Sequence, residues 1–382
     1  MGKHIIILGG GFGGLSAAHA LRKGLGPENK VTLVDKQPLF FMGLTKLWVM
    51  NGTRAVGDRP GNRTRLARKG IDFLEGEVVS INPGGKVVQI GKQELSFDYL
   101  IIALGADYST ASTPGFSRYA KNLYTESGCA EIRDELRSIV SGSITLLVCD
   151  LPFKCPPAPY EAAFLIDDLL RARGVRGRVS VRIVTPEPHP FTILGIEAGK
   201  RVTGLLSEKE IEYCPSERVN EIGSGIVLTE SGRRFSQTLL LAVPKHVAPE
   251  VVRKAGLVDD SGWIPVDPKT LRTRHDYVYA IGDCAGTRNA KGQLVPRAGI
   301  IAEEQGKVVS ANLIREIVGG GRMEEFQGKG VCIMETGGGM AAPVRANFFA
   351  EPVPTWEFAP PSREGFIEKR EFLDDRMKAW FP

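Results

Sequence analysis

The chain opens on a short apolar run, Ile5-Ile6-Ile7-Leu8, which stops at Gly9 and passes into an alanine-rich stretch with Leu15, Ala18 and Leu21 on its inner side. An unbroken apolar run closed by glycine predicts a strand buried on both faces, and the spacing after it predicts a helix packed on that strand. The pattern recurs. "KVTLVDKQ" ends its strand on Asp35, "FDYLIIALGADYS" (97–109) closes on Gly105, and "VYAIGDCAG" (278–286) passes through Gly282 and Asp283. A long helical stretch follows, with Ile300, Ile301, Val308, Val309 and Leu313 on apolar positions. Between these segments, "GSITLLVCD" (142–150) and "VSVRIVTPEP" (179–188) flank the helix-patterned "YEAAFLIDDLLRARG". Strands alternating with helices predict an α/β chain with parallel sheets, in two tandem strand–helix–strand units. The first unit is interrupted by the second and resumes after about residue 235.

The first turn carries Gly9, Gly11 and Gly14 in the spacing of a dinucleotide fingerprint. Such a turn needs residues that tolerate positive φ, and its second glycine lets backbone N–H groups approach a pyrophosphate at a helix N-terminus. Asp35 stands where a carboxylate accepts ribose hydroxyls. The corresponding turn of the second unit reads Leu151-Pro152-Phe153-Lys154-Cys155-Pro156-Pro157-Ala158-Pro159. Proline offers no N–H to a phosphate, and no glycine lets the backbone close on one. NADH has no evident seat there, although Glu187 ends the second strand as a ribose ligand would. Four prolines instead fix the backbone around Cys155.

Bulk properties narrow the picture further. The 382 residues suffice for two or three domains with real cores. No run of about 18 apolar residues appears, and "MGKHIIILGG" enters a strand with no cleavable signal region, so cytoplasmic synthesis is expected. A net charge of +5 does not argue for nucleic acid, and the basic stretch "RPGNRTRLARKG" (59–70) reads as a solvated face. The six cysteines fit neither a disulfide scaffold nor a zinc spacing, which leaves redox chemistry to be asked of any pair among them.

The fingerprint, the Gly105 strand and the "YAIGD" segment resemble the two-dinucleotide-binding-domain flavoproteins of the disulfide-reductase-like class. That resemblance implies two Rossmann-like domains, with FAD in the first and Asp283 on its ribityl chain. The expected divisions are 1–110 and 235–318 for the split FAD domain, 111–234 for the second domain and 319–382 for a C-terminal interface or membrane-associating region.

"CPPAPYE", "AVPKHVAPEVVRKAGL" (242–257) and "GKGVCIMETGGGMA" (328–341) are similar to segments of sulfide:quinone oxidoreductases and of the flavoprotein subunit of flavocytochrome c sulfide dehydrogenases. Lys245 departs from this pattern, standing where a second proline is frequent. The resemblance implies oxidation of hydrogen sulfide to sulfane sulfur or polysulfide by a Cys155–Cys332 pair. Cys155 would carry a persulfide while Cys332 delivers two electrons to the flavin. It also implies that Glu161 is the acid/base carboxylate, against a plain helix-start charge.

Tyr124 falls where some members carry a third cysteine, and Cys129 lies a few positions later. Cys149, Cys214 and Cys284 read as packing residues, and His189 as part of a surface turn. No cysteine precedes Cys129, so FAD is expected to be noncovalent at least near "FFMGL".

For the acceptor, "EKREF" resembles a Lys-x-x-Phe element by the quinone pocket and nominates Lys369 and Phe372. Phe348 and Trp356 could wall an apolar ring site or serve the core. Phe366, Leu373, Met377 and Trp380 form a helical stripe that suits either a peripheral anchor on the cytoplasmic membrane or a helix docked on the core. The alternatives are a sulfide dehydrogenase with a cytochrome c-type acceptor and a type II NADH:quinone dehydrogenase. Dimers are common among such proteins, but no residue demonstrates one.

Overall fold

The computed structural model describes residues 2–381. Its first sheet is parallel throughout, in the order Val278–Ala280, Tyr99–Ile102, His4–Leu8, Lys30–Asp35, Asp72–Glu75. A second parallel sheet repeats the plan with Lys121–Asn122, Leu239–Val243, Gly142–Val148, Val179–Val184 and Glu212–Cys214. In both, the first apolar run of the unit is the central strand. An antiparallel three-stranded meander, over 78–96 and 219–236, precedes the strand that returns beside it. Ile5, Ile6, Ile7 and Leu8 are fully buried, alternately contributing to the two cores on either face of the first sheet. This is why their run shows no polar alternation.

The second sheet includes Leu239–Val243, all five residues buried, so the second unit extends beyond the expected division at 234–235. That apolar segment is needed as an interior strand between Gly142–Val148 and Lys121–Asn122. The chain recrosses at Lys245–Val247, which pairs antiparallel with Asp107–Ser109 on the outward crossing.

Helix Gly299–Val318 lies along helix Phe12–Gly24, and the contact depends on Gly306, where a Cβ would stand 2.6 Å from the Gly13 carbonyl oxygen. Beyond it, Lys329–Gly337, Met340–Asn347 and Thr355–Phe358 form an antiparallel sheet, followed by helix Arg363–Trp380. The apolar stripe of this helix turns inward. Leu373 and Trp380 are buried in the core of the first unit, and the Trp380 ring meets Phe12 and Phe40 edge-on at 5.2 and 5.8 Å. Core docking accounts for Leu373, Met377 and Trp380, while Phe366 is half-buried and lies outside that core. Among the described residues, no helix is long and apolar enough to cross a membrane.

The basic stretch 59–70 is only partly the solvated face expected. Arg59, Arg65 and Arg68 are exposed, but Arg63 is buried and donates to the carbonyls of Gly10, Gln37 and Leu39. A guanidinium has enough fixed donors to tie three backbone carbonyls together, which composition alone does not reveal.

Candidate active site

The glycine turn is tight enough to demand its residues. Gly9 has φ +102°, and a Cβ on Gly14 would stand 1.8 Å from the Gly9 carbonyl oxygen. Gly11, by contrast, has open space where its side chain would be. Helix Phe12–Gly24 begins there with no side-chain cap and no acid in its first turn, so its N–H groups and dipole are free for an anion. Asp35 is anchored at the strand end, its Oδ2 accepting from the Gly10 N–H at 2.7 Å and its Oδ1 from the Gln37 N–H at 2.9 Å. Across the crevice, Gly105 (φ +72°) lies open and Gly282 (φ +71°) donates its N–H to Gln305 Oε1 at 2.7 Å. Among the described residues the Asp283 carboxylate makes no hydrogen bond. This cradle fits a dinucleotide, with an anion site at one end and a carboxylate at the other.

The proline loop meets the far side of the crevice. Cys155 adopts φ +52°, unusual for a residue with a Cβ, and its N–H donates to the Arg297 carbonyl at 2.6 Å. Tyr124 holds the same turn by donating its hydroxyl to the Lys154 carbonyl at 2.7 Å. Pro156 and Pro157 then lead into helix Ala158–Ala172, with Pro159 in its first turn where a missing N–H costs nothing. Arg297 lies 3.7 Å from the Trp263 ring centroid and donates Nε to the Asp283 carbonyl at 2.9 Å.

Of the six cysteines, Cys155 and Cys332 are the two that are partly exposed, while Cys129, Cys149, Cys214 and Cys284 are buried. The fold places Cys155 and Cys332, both free thiols, at one site. They are near enough for the charge of the Cys332 sulfur to raise the pKa of Cys155, after burial, which is the larger cause. Burial also pushes Cys332 up to about 12, with Glu161 adding to the rise. Lys369 is a cation that pulls both thiols down.

Glu161 and Lys369 form a buried ion pair, and Lys369 Nζ also lies 2.8 Å from Glu335 Oε1. The Trp48 indole N–H donates to the same Glu335 oxygen at 2.6 Å. Burial raises Glu161 to about 7, with Lys369 opposing and Glu335 reinforcing the rise. Burial alone would lower Lys369, but the two carboxylates outweigh it and its pKa stands above the ordinary lysine value. Sequence reasoning missed Glu335 and Trp48. A glutamate inside the apolar strand "VCIMETG" was the available signal for the first.

Cys332 stands at the edge of an apolar cavity lined by Phe191, Leu194, Ile301, Val344 and Phe348. Helix Gly299–Val318 starts beside it without a side-chain cap. Of the residues nominated for the acceptor, Phe348 lines this cavity. Lys369 belongs to the carboxylate cluster, Phe372 stacks under Arg376 at 3.4 Å, and Trp356 sits on the outer strand Thr355–Phe358. Cys129 is packed in the second core, its Sγ against the Leu123 carbonyl at 3.2 Å. His189 lies half-buried in the turn before Phe191.

The second crevice is filled from within. Tyr160 donates its hydroxyl to Glu187 Oε2 at 2.5 Å, and both residues are buried. Burial raises Glu187 to about 7. Its carboxylate faces the interior and so presents no open ribose ligand.

Two parallel dinucleotide-type sheets, with a glycine turn on the first and a cysteine loop on the second, define a flavin-dependent oxidoreductase of the disulfide-reductase class. The family described as pyridine nucleotide-disulphide oxidoreductase matches residues 3–306, and the chain belongs to it. Within that family it is similar to the sulfide-quinone reductase of Aquifex aeolicus, at 26% identity over 97% of this chain and 87% of the relative. It is also similar to the mitochondrial sulfide:quinone oxidoreductase of Mus musculus, at 22% identity over 93% and 80% of the two chains. The crystal structure of the Aquifex aeolicus sulfide:quinone oxidoreductase superposes with a TM-score of 0.89 at 21% identity, covering 99% of this chain and 92% of that one. This last likeness bears on the fold.

Proposed function

We propose that this protein oxidises sulfide to sulfane sulfur through Cys155 and Cys332 and passes the electrons by way of FAD to a quinone. The observation that carries the reading is the meeting of the two accessible cysteines with Glu161 and Lys369 beside an apolar cavity. FAD would be held by the Gly9–Gly11–Gly14 turn and the N-terminus of helix Phe12–Gly24 at its pyrophosphate, by Asp35 at its ribose and by Asp283 at its ribityl chain. When bound, FAD supplies a two-electron acceptor that can be reoxidised by a quinone.

The protein's own residues divide the remaining work. Both cysteines are free thiols in this structure; in the oxidised form of the pair, a disulfide, sulfide would attack the Cys155 sulfur, forming a persulfide there and releasing Cys332 as a thiolate. Lys369 stabilises the negative sulfur, because its charge lowers both thiol pKa values. The rigid turn holds Cys155 in place, and Glu161 accepts the proton of the incoming sulfide. The apolar cavity at Cys332 suits the ring of a quinone better than a charged acceptor. Against an NADH dehydrogenase stands the second crevice, which has a proline loop in place of a glycine turn and a buried Glu187.

Anaerobic titration of the flavin-loaded protein with sulfide and then, separately, with NADH tests the reading. Sulfide should bleach the flavin, a quinone should restore its colour, and NADH should do nothing. Cys155→Ser and Cys332→Ser should each slow bleaching by roughly two orders of magnitude or more. Bleaching by NADH alone, or equal rates in the Cys155→Ser protein, would refute the assignment.

A further inference from the structure

The charge cluster beside the cysteines holds one carboxylate more than the sulfur chemistry requires. Glu335 lies three residues beyond Cys332 on the same strand and is only 4% exposed. Its Oε1 faces both the Trp48 indole N–H at 2.6 Å and Lys369 Nζ at 2.8 Å. Its backbone N–H also bears on the Glu161 carboxylate. One ammonium thus serves two carboxylates, and Lys369 itself is 2% exposed. Fully ionised, the cluster carries a net negative charge in a medium that tolerates it poorly. One of the two carboxylates is therefore the natural site for an added proton.

The partners decide which one. Glu335 Oε1 is already taken up by two donors, the indole N–H and the ammonium. Among side chains Glu161 has the ammonium alone, and it is near enough to the sulfurs for its charge to raise both thiol pKa values. The groups bearing on Glu161 are Lys369, Glu335, Cys155 and Cys332, with Asp283 acting on Cys155 from across the crevice.

We propose that Glu335 is a positioning residue for the sulfide reaction: it fixes Lys369 between two carboxylates, so that Glu161 is left as the group that takes the proton. The inference rests on the reading given above. In the step concerned, hydrogen sulfide forms a bond to the Cys155 sulfur and the Cys155–Cys332 bond breaks. The electron pair of that bond stays on the Cys332 sulfur as thiolate, and the released proton passes to the Glu161 carboxylate. Glu335 gains and loses nothing.

Infrared spectra of the flavin-loaded protein over a pH series read this directly, through the protonated-carboxyl band that Glu161→Gln removes. In Glu335→Gln the amide oxygen can still accept from Trp48, but the second negative charge is gone. The Glu161 band should then titrate roughly 1–3 pH units lower. The acid limb of the sulfide-driven bleaching rate should move with it, and Glu335→Asp should restore both. Trp48→Phe, which removes the indole donor that helps hold Glu335 beside Lys369, should shift the band the same way by less. A Glu161 titration unmoved in both Glu335→Gln and Trp48→Phe overturns the proposal. Failure of sulfide to bleach the wild-type flavin would refute the functional reading instead, and the infrared titration would still decide the part played by Glu335.

Discussion

Lys369 Nζ, on the C-terminal helix, lies 2.8 Å from Glu335 Oε1, on the strand that carries Cys332. The contact fastens the last element of the chain to the sulfur site. With Glu161 on the other side, Lys369 is a buried cation held by two buried carboxylates, and its removal leaves both without compensation. Lys369→Met should destabilise the protein by about 3–5 kcal/mol in denaturant unfolding. The neutral triple variant Glu161→Gln, Lys369→Met, Glu335→Gln should recover most of that loss, because it removes the charges together.

Glu161 should set the pH dependence of sulfide oxidation. Its pKa is raised to about 7, so the carboxylate able to accept a proton predominates above that pH and the acid below it. The rate of flavin bleaching at saturating total sulfide should therefore rise as pH increases through about 7. In Glu161→Gln the rate should fall by roughly 10²–10⁴-fold and this limb should disappear, as stopped-flow measurement across pH would show.

The glycines of the first turn should separate folding from flavin binding. Gly11→Ala meets open space within the protein, so the flavin-free form should melt as the wild type does while binding FAD at least about tenfold more weakly, a loss of roughly 1.4 kcal/mol. Gly14→Ala collides with the Gly9 carbonyl and should disturb the turn even without flavin. Fluorescence titration with FAD and thermal melts of the flavin-free proteins distinguish the two.

Removing the Tyr160 hydroxyl should weaken the second unit without opening it to NADH. Tyr160→Phe strips Glu187 of its shortest hydrogen bond in a buried position, at a cost of about 1–3 kcal/mol. Unfolding should report that loss, and NADH should still leave the flavin oxidised, because the proline loop is unchanged.

The terminal helix should matter to stability through its last turn. Trp380 is 5% exposed and lies between Phe12 and Phe40, so Trp380→Ala should cost about 3–5 kcal/mol in unfolding. A change well under 1 kcal/mol would mean that the helix end is not docked in solution.

Much of the framework was legible because it is local. The apolar runs that became central strands, the glycines whose spacing a tight turn requires, and the prolines that deny a phosphate its N–H groups are all properties of short segments. Cys155 could be singled out from one motif, and Cys332 by resemblance. The extent of the second unit was less legible, since Leu239–Val243 is as apolar as any strand of the first unit and only its hydrogen-bonded neighbours assign it. Arg63 sat in a run of basic residues that looked uniformly solvated, yet it alone of that run turns in to hold the glycine turn. The stripe on the last helix was visible, but either lipid or core could have covered it.

The sequence by itself determined the two nucleotide-type units, the tight first turn and the loss of a phosphate seat in the second, because backbone conformation and strand burial follow from residues a few positions apart. Only the tertiary structure decided that Glu161, Glu335 and Lys369 share one buried site with Trp48. Trp48 and Glu335 alone are 287 positions apart in the chain, and the energy of a buried charge depends on which opposite charge the fold sets beside it, which no local pattern encodes.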